Sequence, residues 1–175
     1  CISEWGHDFR PDYLAIADFR REYGSAVCLV LTATATAQVR SDIQRNLQLE
    51  SPQVLVAGFN RPNLYLRVLR KSRPAEQVLS FLSEHRGQRG IIYCFSRKQV
   101  DQLATLLESK GISATNYHAG LSDAERESHQ NDFIRDTVDV MVATVAFGMG
   151  INKPDVRFVI HYDLPKSLEQ YYQEI

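Results

Sequence analysis

Short apolar runs alternate with longer amphipathic stretches along most of the chain. A continuous apolar run is typical of a strand buried on both faces, and a period-two alternation is typical of a half-buried strand. The pattern predicts strands at 26–31, 53–58, 64–68, 91–95, 113–117, 138–144 and 157–165. Apolar residues one turn apart, N-cap residues and glycine stops predict helices at 12–24, 39–47, 98–111, 122–136 and from 167 onwards.

The order of these elements predicts the fold class. Strands that alternate with helices are typical of parallel βαβ units, with helices on both faces of the sheet. Ligands of such sheets bind at the carboxyl ends of the strands. The loops that should share this edge are polar or rich in glycine, and they lie at 32–36, 96–98, 118–121 and 144–154.

Three of these loops carry groups suited to a neighbouring loop, a phosphate or another ligand, although each also has a purely structural explanation. Thr36 is placed to cap a helix, which by itself would explain the loop TATAT. His118 and Gly120 precede a helix N-terminus, where free backbone N–H groups favour a phosphate, but a satisfied histidine in a tight connection fits equally well. Gly148 and Gly150 permit backbone conformations closed to other residues and a close approach to a ligand.

Aromatic side chains beside polar groups indicate contacts with nucleic-acid bases. Trp5, His7, Phe9 and Arg10 lie close together in the stretch CISEWGHDFRPDY. Aromatic faces beside a guanidinium form a platform on which unpaired bases stack. The alternative is that Phe9 is a hydrophobic staple over the following helix. In the loop at 144–154, Phe147 either packs, or stacks on a base, or does both.

Composition and charge narrow the classes of function. The 175 residues include 20 Lys and Arg against 21 Asp and Glu, a net charge of −1, so any nucleic-acid site must be a local patch. Cys1, Cys28 and Cys94 have the spacing of neither a zinc site nor a disulfide framework, which fits a reducing compartment. The sequence has no apolar run long enough for a membrane span and no phosphate loop of the form GxxxxGKS or GxxxxGKT.

The motifs in their order resemble the RecQ family of ATP-dependent DNA helicases, which belongs to helicase superfamily two. The resemblance rests on CISEWGHDFRPDY, LTATAT, FNRPNLYLRV, IIYCFSRK, YHAGL, VATVAFGMGINKPDVRFVIHYDLP and YYQEI, from residue 1 to residue 175. SEWGHDFRP and VAFGMGINKP distinguish the pattern from RNA helicases of the DEAD-box type. In the family, an acidic DEAH box precedes the first motif and an arginine-finger motif continues from the last, so we expect the chain to be a fragment.

The resemblance implies an α/β fold of parallel-sheet, RecA-like helicase domains of the P-loop NTPase type, the first of them partial. Residues 1–72 match the C-terminal part of the first domain. Residues 73–175 match the second, helicase C-terminal domain without its end. ATP and Mg²⁺ are the implied cofactors of the parent protein, and no cofactor or metal is expected on the fragment by itself.

Roles follow from the resemblance position by position. Residues implied in sensing single-stranded DNA or in contacting the DNA strand are Trp5, His7, Phe9, Arg10, Thr32, Thr34, Thr36, Ser96, Arg97, His118, Gly120 and Thr144. Residues implied in nucleotide binding are Gly150, Asn152 and Gln173, the last at the start of the arginine-finger motif. Asn152 stands where many relatives in the superfamily have Asp, which predicts a weaker contact with the ribose or with a water. No set of catalytic residues is complete within the fragment.

The implied function is part of the motor core of a 3′-to-5′ DNA helicase that unwinds duplex DNA in repair and recombination. One alternative is a RecA-like module that binds DNA and never hydrolyses ATP, and another is a doubly wound domain for a small metabolite. Expected partners are single-stranded and forked DNA but no membrane, and the uncovered apolar face of a partial domain also predicts self-association. The expected location is the bacterial cytoplasm, with the nucleoid, or the nucleus of a eukaryote.

The 175-residue chain is predicted not to hydrolyse ATP, because it has no phosphate loop and because the resemblance places the acidic box and the arginine finger outside it. A colorimetric phosphate-release assay with added single-stranded DNA measures this. Release of phosphate clearly above that of buffer would contradict the prediction.

Overall fold

The structure is a computed structural model that describes residues 15–24, 26–32, 35–56, 58, 61–148 and 153–175. The chain divides into two compact units, and the boundary lies between Arg67 and Val68. The predicted domain limits, 1–72 and 73–175, stay a prediction. None of the described helices is both long and apolar enough to cross a membrane.

The first unit contains two described helices, α1 (Ile16–Glu22) and α2 (Ala37–Asn46). Thr36 is the N-cap of α2, and its hydroxyl accepts a hydrogen bond of 3.3 Å from the backbone N–H of Val39. The Arg20 guanidinium on α1 donates to the backbone carbonyl of Leu47, which follows α2 and is buried. This contact ties the end of α2 to α1.

The strands predicted in the first unit are wrong for the residues that the structure describes. Within 26–31, 53–58 and 64–67, no described residue belongs to a strand. Most of their apolar side chains face solvent, and Val27 is 98% exposed. A strand requires a neighbour that satisfies its backbone N–H and C=O groups, and the described part of this unit supplies none. The apolar runs therefore mark segments that are able to pair as strands. Such a segment forms a strand only where a neighbouring strand is available to it.

The second unit follows the predicted rhythm of strands and helices. Its elements are α3 (Pro74–Glu84), β1 (Arg89–Tyr93), α4 (Arg97–Ser109), β2 (Ala114–Tyr117), α5 (Asp123–Ile134), β3 (Val140–Ala143), β4 (Val156–His161) and α6 (Leu168–Glu174). Helix α3 was not predicted from the sequence, and it begins just after the predicted domain limit at residue 72. Proline suits the first turn of a helix, where its missing N–H has no partner to lose, and Pro74 begins α3.

The four described strands form one parallel sheet in the order β2-β3-β1-β4. Ile92 in β1 is in register with Val142 in β3 and with Ile160 in β4. On the other side of β3, Thr115 in β2 pairs with Met141. All pairings are parallel, which confirms the predicted sheet type. The carboxyl ends of the four strands therefore lie at one edge of the sheet.

Two apolar cores cover the two faces of this sheet. Ile92 and Val142 belong to the core that also contains Leu82 of α3 and Leu107 of α4. The residues beside them in sequence, Ile91 and Met141 among others, belong to the second core together with Phe133 of α5 and Phe147. Alternate residues of one strand point to opposite faces, so a strand between two helical layers must be apolar throughout.

A network of charges lies at the opposite edge, where the strands begin. The Lys153 side chain is only 4% exposed, and its ammonium lies 2.6 Å from Asp136 and 2.9 Å from Asp155. The Arg89 guanidinium lies 3.1 Å from the same Asp136 carboxylate. Burial by itself would lower the pKa of Lys153, but its hydrogen bonds to the two carboxylates outweigh burial and raise that pKa. These ion pairs keep the ammonium group of Lys153 charged. They also hold the chain at this edge of the sheet just before β4 begins.

Gly90 in β1 has no room for a side chain. A Cβ atom built there would lie 2.1 Å from the ring of Phe158 on β4. We expect Gly90→Ala to lower the free energy of unfolding by about 1–3 kcal/mol, the usual cost of overpacking. Urea denaturation followed by circular dichroism measures this.

The double variant Gly90→Ala with Phe158→Leu is the control, because it removes the ring that the methyl group would meet. Its loss of stability should be smaller than the sum of the two single losses. Additive losses, or a Gly90→Ala variant as stable as the unaltered chain, would contradict the packing argument.

Candidate functional site

The carboxyl edge of the sheet in the second unit brings together loops that the sequence singled out. Ser96 follows β1, His118 follows β2 and Thr144 follows β3. Backbone hydrogen bonds join these strand ends: the Thr144 N–H donates to the Tyr117 carbonyl at 3.1 Å. The Cys94 N–H donates to the carbonyl of Ala143 at 2.8 Å. The three loops thus share one rigid edge.

Ser96 forms the N-cap of α4 through a capping box. Its hydroxyl accepts from the backbone N–H of Gln99 at 3.3 Å, and the Gln99 side chain accepts from the Ser96 N–H at 3.2 Å. These bonds fix the first turn of a thirteen-residue helix, whose N-terminus carries partial positive charge. Arg97, the first residue of the helix, is exposed and adds a full charge at the same place. The corner therefore suits an anionic group.

His118 is buried, and both of its ring nitrogens have partners. Nε2 lies 2.8 Å from the Asp101 carboxylate, and Nδ1 accepts from the Gly120 backbone N–H at 3.1 Å. Since a carboxylate only accepts, Nε2 is the donor to Asp101, and Nδ1 is the acceptor for the Gly120 N–H. The imidazole positions the loop 118–121 through these two bonds, and the contact of this loop with a DNA strand stays a prediction.

Asp101 on α4 holds the loop 118–121 in position through hydrogen bonds. Its carboxylate accepts from the Asn116 amide at 2.7 Å as well as from His118. Burial would raise the pKa of Asp101, but the hydrogen bonds from His118 and Asn116 outweigh burial and lower it. Asp101 therefore stays ionised down to acid pH, and the end of β2 stays tied to α4.

Gly120 lies beneath the side chain of Arg97. A Cβ atom at Gly120 would lie 3.1 Å from His118 Nδ1 and 3.2 Å from Arg97 Cδ. Both contacts are tighter than ordinary van der Waals distance. The glycine thus lets the loop after β2 approach the first residue of α4, and the structure brings three predicted site residues into one group.

The turn after β3 is fixed by a buried aromatic ring. The Phe147 N–H donates to the Thr144 carbonyl at 3.0 Å, and the Phe147 ring packs 4.9 Å from Tyr117 and 5.9 Å from Phe133. Of the two roles left open by the sequence, the structure shows packing. Gly148 has a φ of +118°, and a Cβ atom there would lie 2.7 Å from the Tyr93 hydroxyl oxygen. Gly148 thus uses the backbone freedom that a glycine permits, and a larger residue would be strained there.

Helix α6 carries Gln173, the predicted nucleotide contact, and its side chain is exposed. Ser167 caps this helix by accepting from the Gln170 N–H at 3.1 Å. One turn further on, Glu174 accepts from the Gln170 amide at 2.7 Å and from His161 at 2.8 Å. The latter bond attaches α6 to the end of β4.

An exposed aromatic side chain at the same edge was missed by the sequence analysis. Phe95 is 63% exposed, and the Lys166 ammonium lies 4.9 Å from its ring centroid. Its N–H donates to Asp163 at 3.0 Å, and Lys71 donates to the other oxygen of Asp163 at 2.7 Å. Burial by itself would raise the pKa of Asp163, but the hydrogen bonds from Lys71 and Phe95 outweigh burial and lower it. The signal available in the sequence was the aromatic residue directly before SRK.

Cys94, at the end of β1, is buried in the core of the second unit. Burial, with a smaller contribution from the Asp163 carboxylate, raises the pKa of its thiol to about 12. The thiol is therefore protonated and acts as a small apolar side chain.

Several predicted site residues lie elsewhere. In the first unit, Thr32 is exposed and Thr36 caps α2, as its structural explanation predicted. The residues outside the described part of the chain are Trp5, His7, Phe9, Arg10, Thr34, Gly150 and Asn152. Among the described residues, no group of three or more His, Cys, Asp or Glu side chains is arranged to hold a metal ion.

Comparison with known proteins identifies a domain family and relatives that are similar to this chain. Residues 73–175 match the helicase conserved C-terminal domain. The chain is 51% identical over 174 residues to the ATP-dependent DNA helicase RecQ of Pasteurella multocida, which is 99% of this chain and 28% of that relative. It is 47% identical over 178 residues to the RecQ-like DNA helicase BLM of Xenopus laevis, which is 99% of this chain and 13% of that relative. The chain thus spans little more than a quarter of the bacterial relative.

A solved structure with the same fold is that of a DEAD box protein from the hyperthermophile Methanococcus jannaschii. The TM-score is 0.54 at 27% sequence identity, and the match covers 58% of this chain and 28% of that chain. This likeness, with the parallel sheet and its helices, confirms the predicted α/β fold of RecA-like type. By its helicase conserved C-terminal domain, and by its identity to these relatives along nearly its whole length, the chain belongs to the helicase family, in its RecQ branch.

Proposed function

We propose that the chain is part of the motor core of an ATP-dependent 3′-to-5′ DNA helicase, and that its second unit contacts the backbone of one DNA strand. The observation that carries this proposal is the grouping of Arg97, the loop of His118 and Gly120, and Thr144 at one edge of a parallel sheet. Two relatives that are 51% and 47% identical to this chain are named DNA helicases, which supports DNA as the ligand. Single-stranded and forked DNA are the proposed forms.

The chemistry of this edge suits phosphate groups better than base edges. Arg97 supplies a guanidinium, the first turn of α4 supplies the positive end of a helix dipole, and Thr144 supplies a hydroxyl. Contacts of this kind fix the position of a strand without reading its sequence. A motor that moves along DNA needs this property, because the same contacts must form at every step.

The described residues do not form an ATP site by themselves. The sequence has no phosphate loop, and Gln173 is the one predicted nucleotide contact that falls among the described residues. ATP and Mg²⁺ are therefore proposed for the complete protein, where this chain would contribute Gln173, Gly150 and Asn152. Roles in repair and recombination, and the location in the cell, are likewise proposed only for the complete protein. They rest on the RecQ resemblance.

Binding of single-stranded DNA to the chain should be weak, independent of sequence and sensitive to salt. We expect Arg97→Gln to weaken it and to reduce the slope of log K against log salt by about 0.7, the value for one phosphate contact on a single strand. Fluorescence anisotropy of a labelled oligonucleotide, titrated at several salt concentrations, measures both.

Arg135→Gln is the matched control, because Arg135 is equally exposed but follows the C-terminus of α5, near the start of β3. It removes the same charge at the opposite edge of the sheet and should leave the slope unchanged. Equal effects of the two substitutions would show that only net charge matters, and the proposed edge would be wrong.

In the complete protein, Phe9→Ala or Arg10→Ala should uncouple ATP hydrolysis from DNA, with little loss of stability. The reason is that the RecQ resemblance implies a role for both residues in sensing single-stranded DNA. The measurement is ATPase rate with and without DNA, beside a thermal melt. Phe19→Ala removes an exposed aromatic ring from α1 and should leave DNA stimulation intact. If Phe9→Ala unfolds the protein instead, Phe9 is a hydrophobic staple.

A further inference from the structure

Tyr93, at the end of β1, contacts two functional segments of the second unit at once. Its hydroxyl donates to the Phe147 carbonyl at 3.1 Å, in the turn that contains Thr144. On the other side its ring stacks on His161 of β4, with 5.8 Å between ring centroids and 23° between ring planes. Tyr93 is buried, so neither contact is replaced by water when it is lost.

His161 carries the contact onward to α6. Its Nε2 donates to the Glu174 carboxylate at 2.8 Å, and its ring lies 5.3 Å from that of Tyr171. The His161 side chain is 12% exposed, and the Glu174 side chain is 7% exposed. Gln170 donates to the other oxygen of Glu174 at 2.7 Å. A carboxylate this buried must keep its partners, because leaving it unpaired costs far more than one hydrogen bond contributes.

We propose that Tyr93, His161 and Glu174 form a relay that couples the position of the Thr144–Gly148 turn to the position of α6. The three are positioning residues: the turn carries the predicted DNA contact Thr144, and α6 carries the predicted nucleotide contact Gln173. The role in DNA and nucleotide coupling rests on the proposed function, but the mechanical link between turn and helix does not.

Two physical features make the link stiff. Gly148 lies so close to Tyr93 that a Cβ atom would be 2.7 Å from the hydroxyl oxygen, so the turn cannot shift towards β1 without moving the tyrosine. Burial, with a smaller contribution from the charge of Glu174, raises the pKa of Tyr93 to about 12. The hydroxyl therefore stays a donor at any physiological pH, and the field of Glu174 reaches it. Buried, paired groups of this kind have few alternative arrangements, so a shift at one end is transmitted to the other.

Amide hydrogen exchange of the 175-residue chain tests the link without DNA or ATP. The Phe147 amide, bonded to Thr144, reports on the turn, and the Tyr171 amide, bonded to Ser167, reports on α6. We expect Glu174→Gln to speed exchange at Phe147 and Tyr93→Phe to speed exchange at Tyr171, each by about two- to tenfold, the effect of losing one net hydrogen bond. The effect should run in both directions, because coupling between two sites is reciprocal.

Tyr117→Phe is the matched control, since Tyr117 also packs on the Phe147 ring but has no contact with His161 among the ring contacts of the described residues. It should leave exchange at Tyr171 unchanged. Combined with Glu174→Gln, its effect on Phe147 should add, whereas Tyr93→Phe combined with Glu174→Gln should give less than the sum.

Two results would overturn the relay. One is an effect confined to the substituted end. The other is an equal rise at the Gly90 amide, which bonds Asp139 at the opposite edge of the sheet and so reports general loss of stability.

A DNA-binding measurement separates the relay from the proposed function. With the same labelled oligonucleotide, Glu174→Gln should weaken binding by about two- to tenfold, through the turn that carries Thr144. If exchange at Phe147 rises while DNA affinity is unchanged, the relay holds and the assignment of Thr144 to DNA is wrong. If neither changes, the relay itself is wrong.

Discussion

The parallel register between β1 and β3 is the constraint on which the rest of the second unit depends. Because Tyr93 is paired with Ala143, both strands end at the same height, and β2 follows the same register. Every loop that leaves these strand ends must therefore start within a few ångströms of the others. Capping of α4 by Ser96 and the bond from the Thr144 N–H to Tyr117 then fix the loops that leave this edge.

Sequence reasoning succeeded where the determining interactions are local. The helix predicted at 122–136, which the structure shows to begin with a capping box of Ser122 and Glu125, and the sheet strands of the second unit are encoded within a few neighbouring residues. It failed for residues 26–31, because an apolar run shows that a strand can form but does not supply the neighbour that it must pair with. It also missed α3, which begins with a proline, a residue that suits the first turn of a helix but no later turn.

The interactions that shape the candidate site are mostly between residues far apart in sequence, which explains why they were not predicted. Asp101 lies on α4, yet it holds the histidine that follows β2. Tyr93 bonds the carbonyl of Phe147, 54 positions further along the chain. The sequence predicted which loops meet at the edge, because the parallel fold determines that. It gave no indication of which side chains support those loops, since that depends on packing across strands.

Cys94 has a practical consequence for studying how this unit opens. Its thiol is buried and protonated, whereas Cys28 in the first unit is exposed. An alkylating reagent attacks only the accessible thiolate, so Cys28 would be modified early and Cys94 only when the sheet opens around the end of β1. The rate of labelling at Cys94 would then measure how often this core is transiently exposed. Mass spectrometry would detect the labelling without any substitution in the sequence.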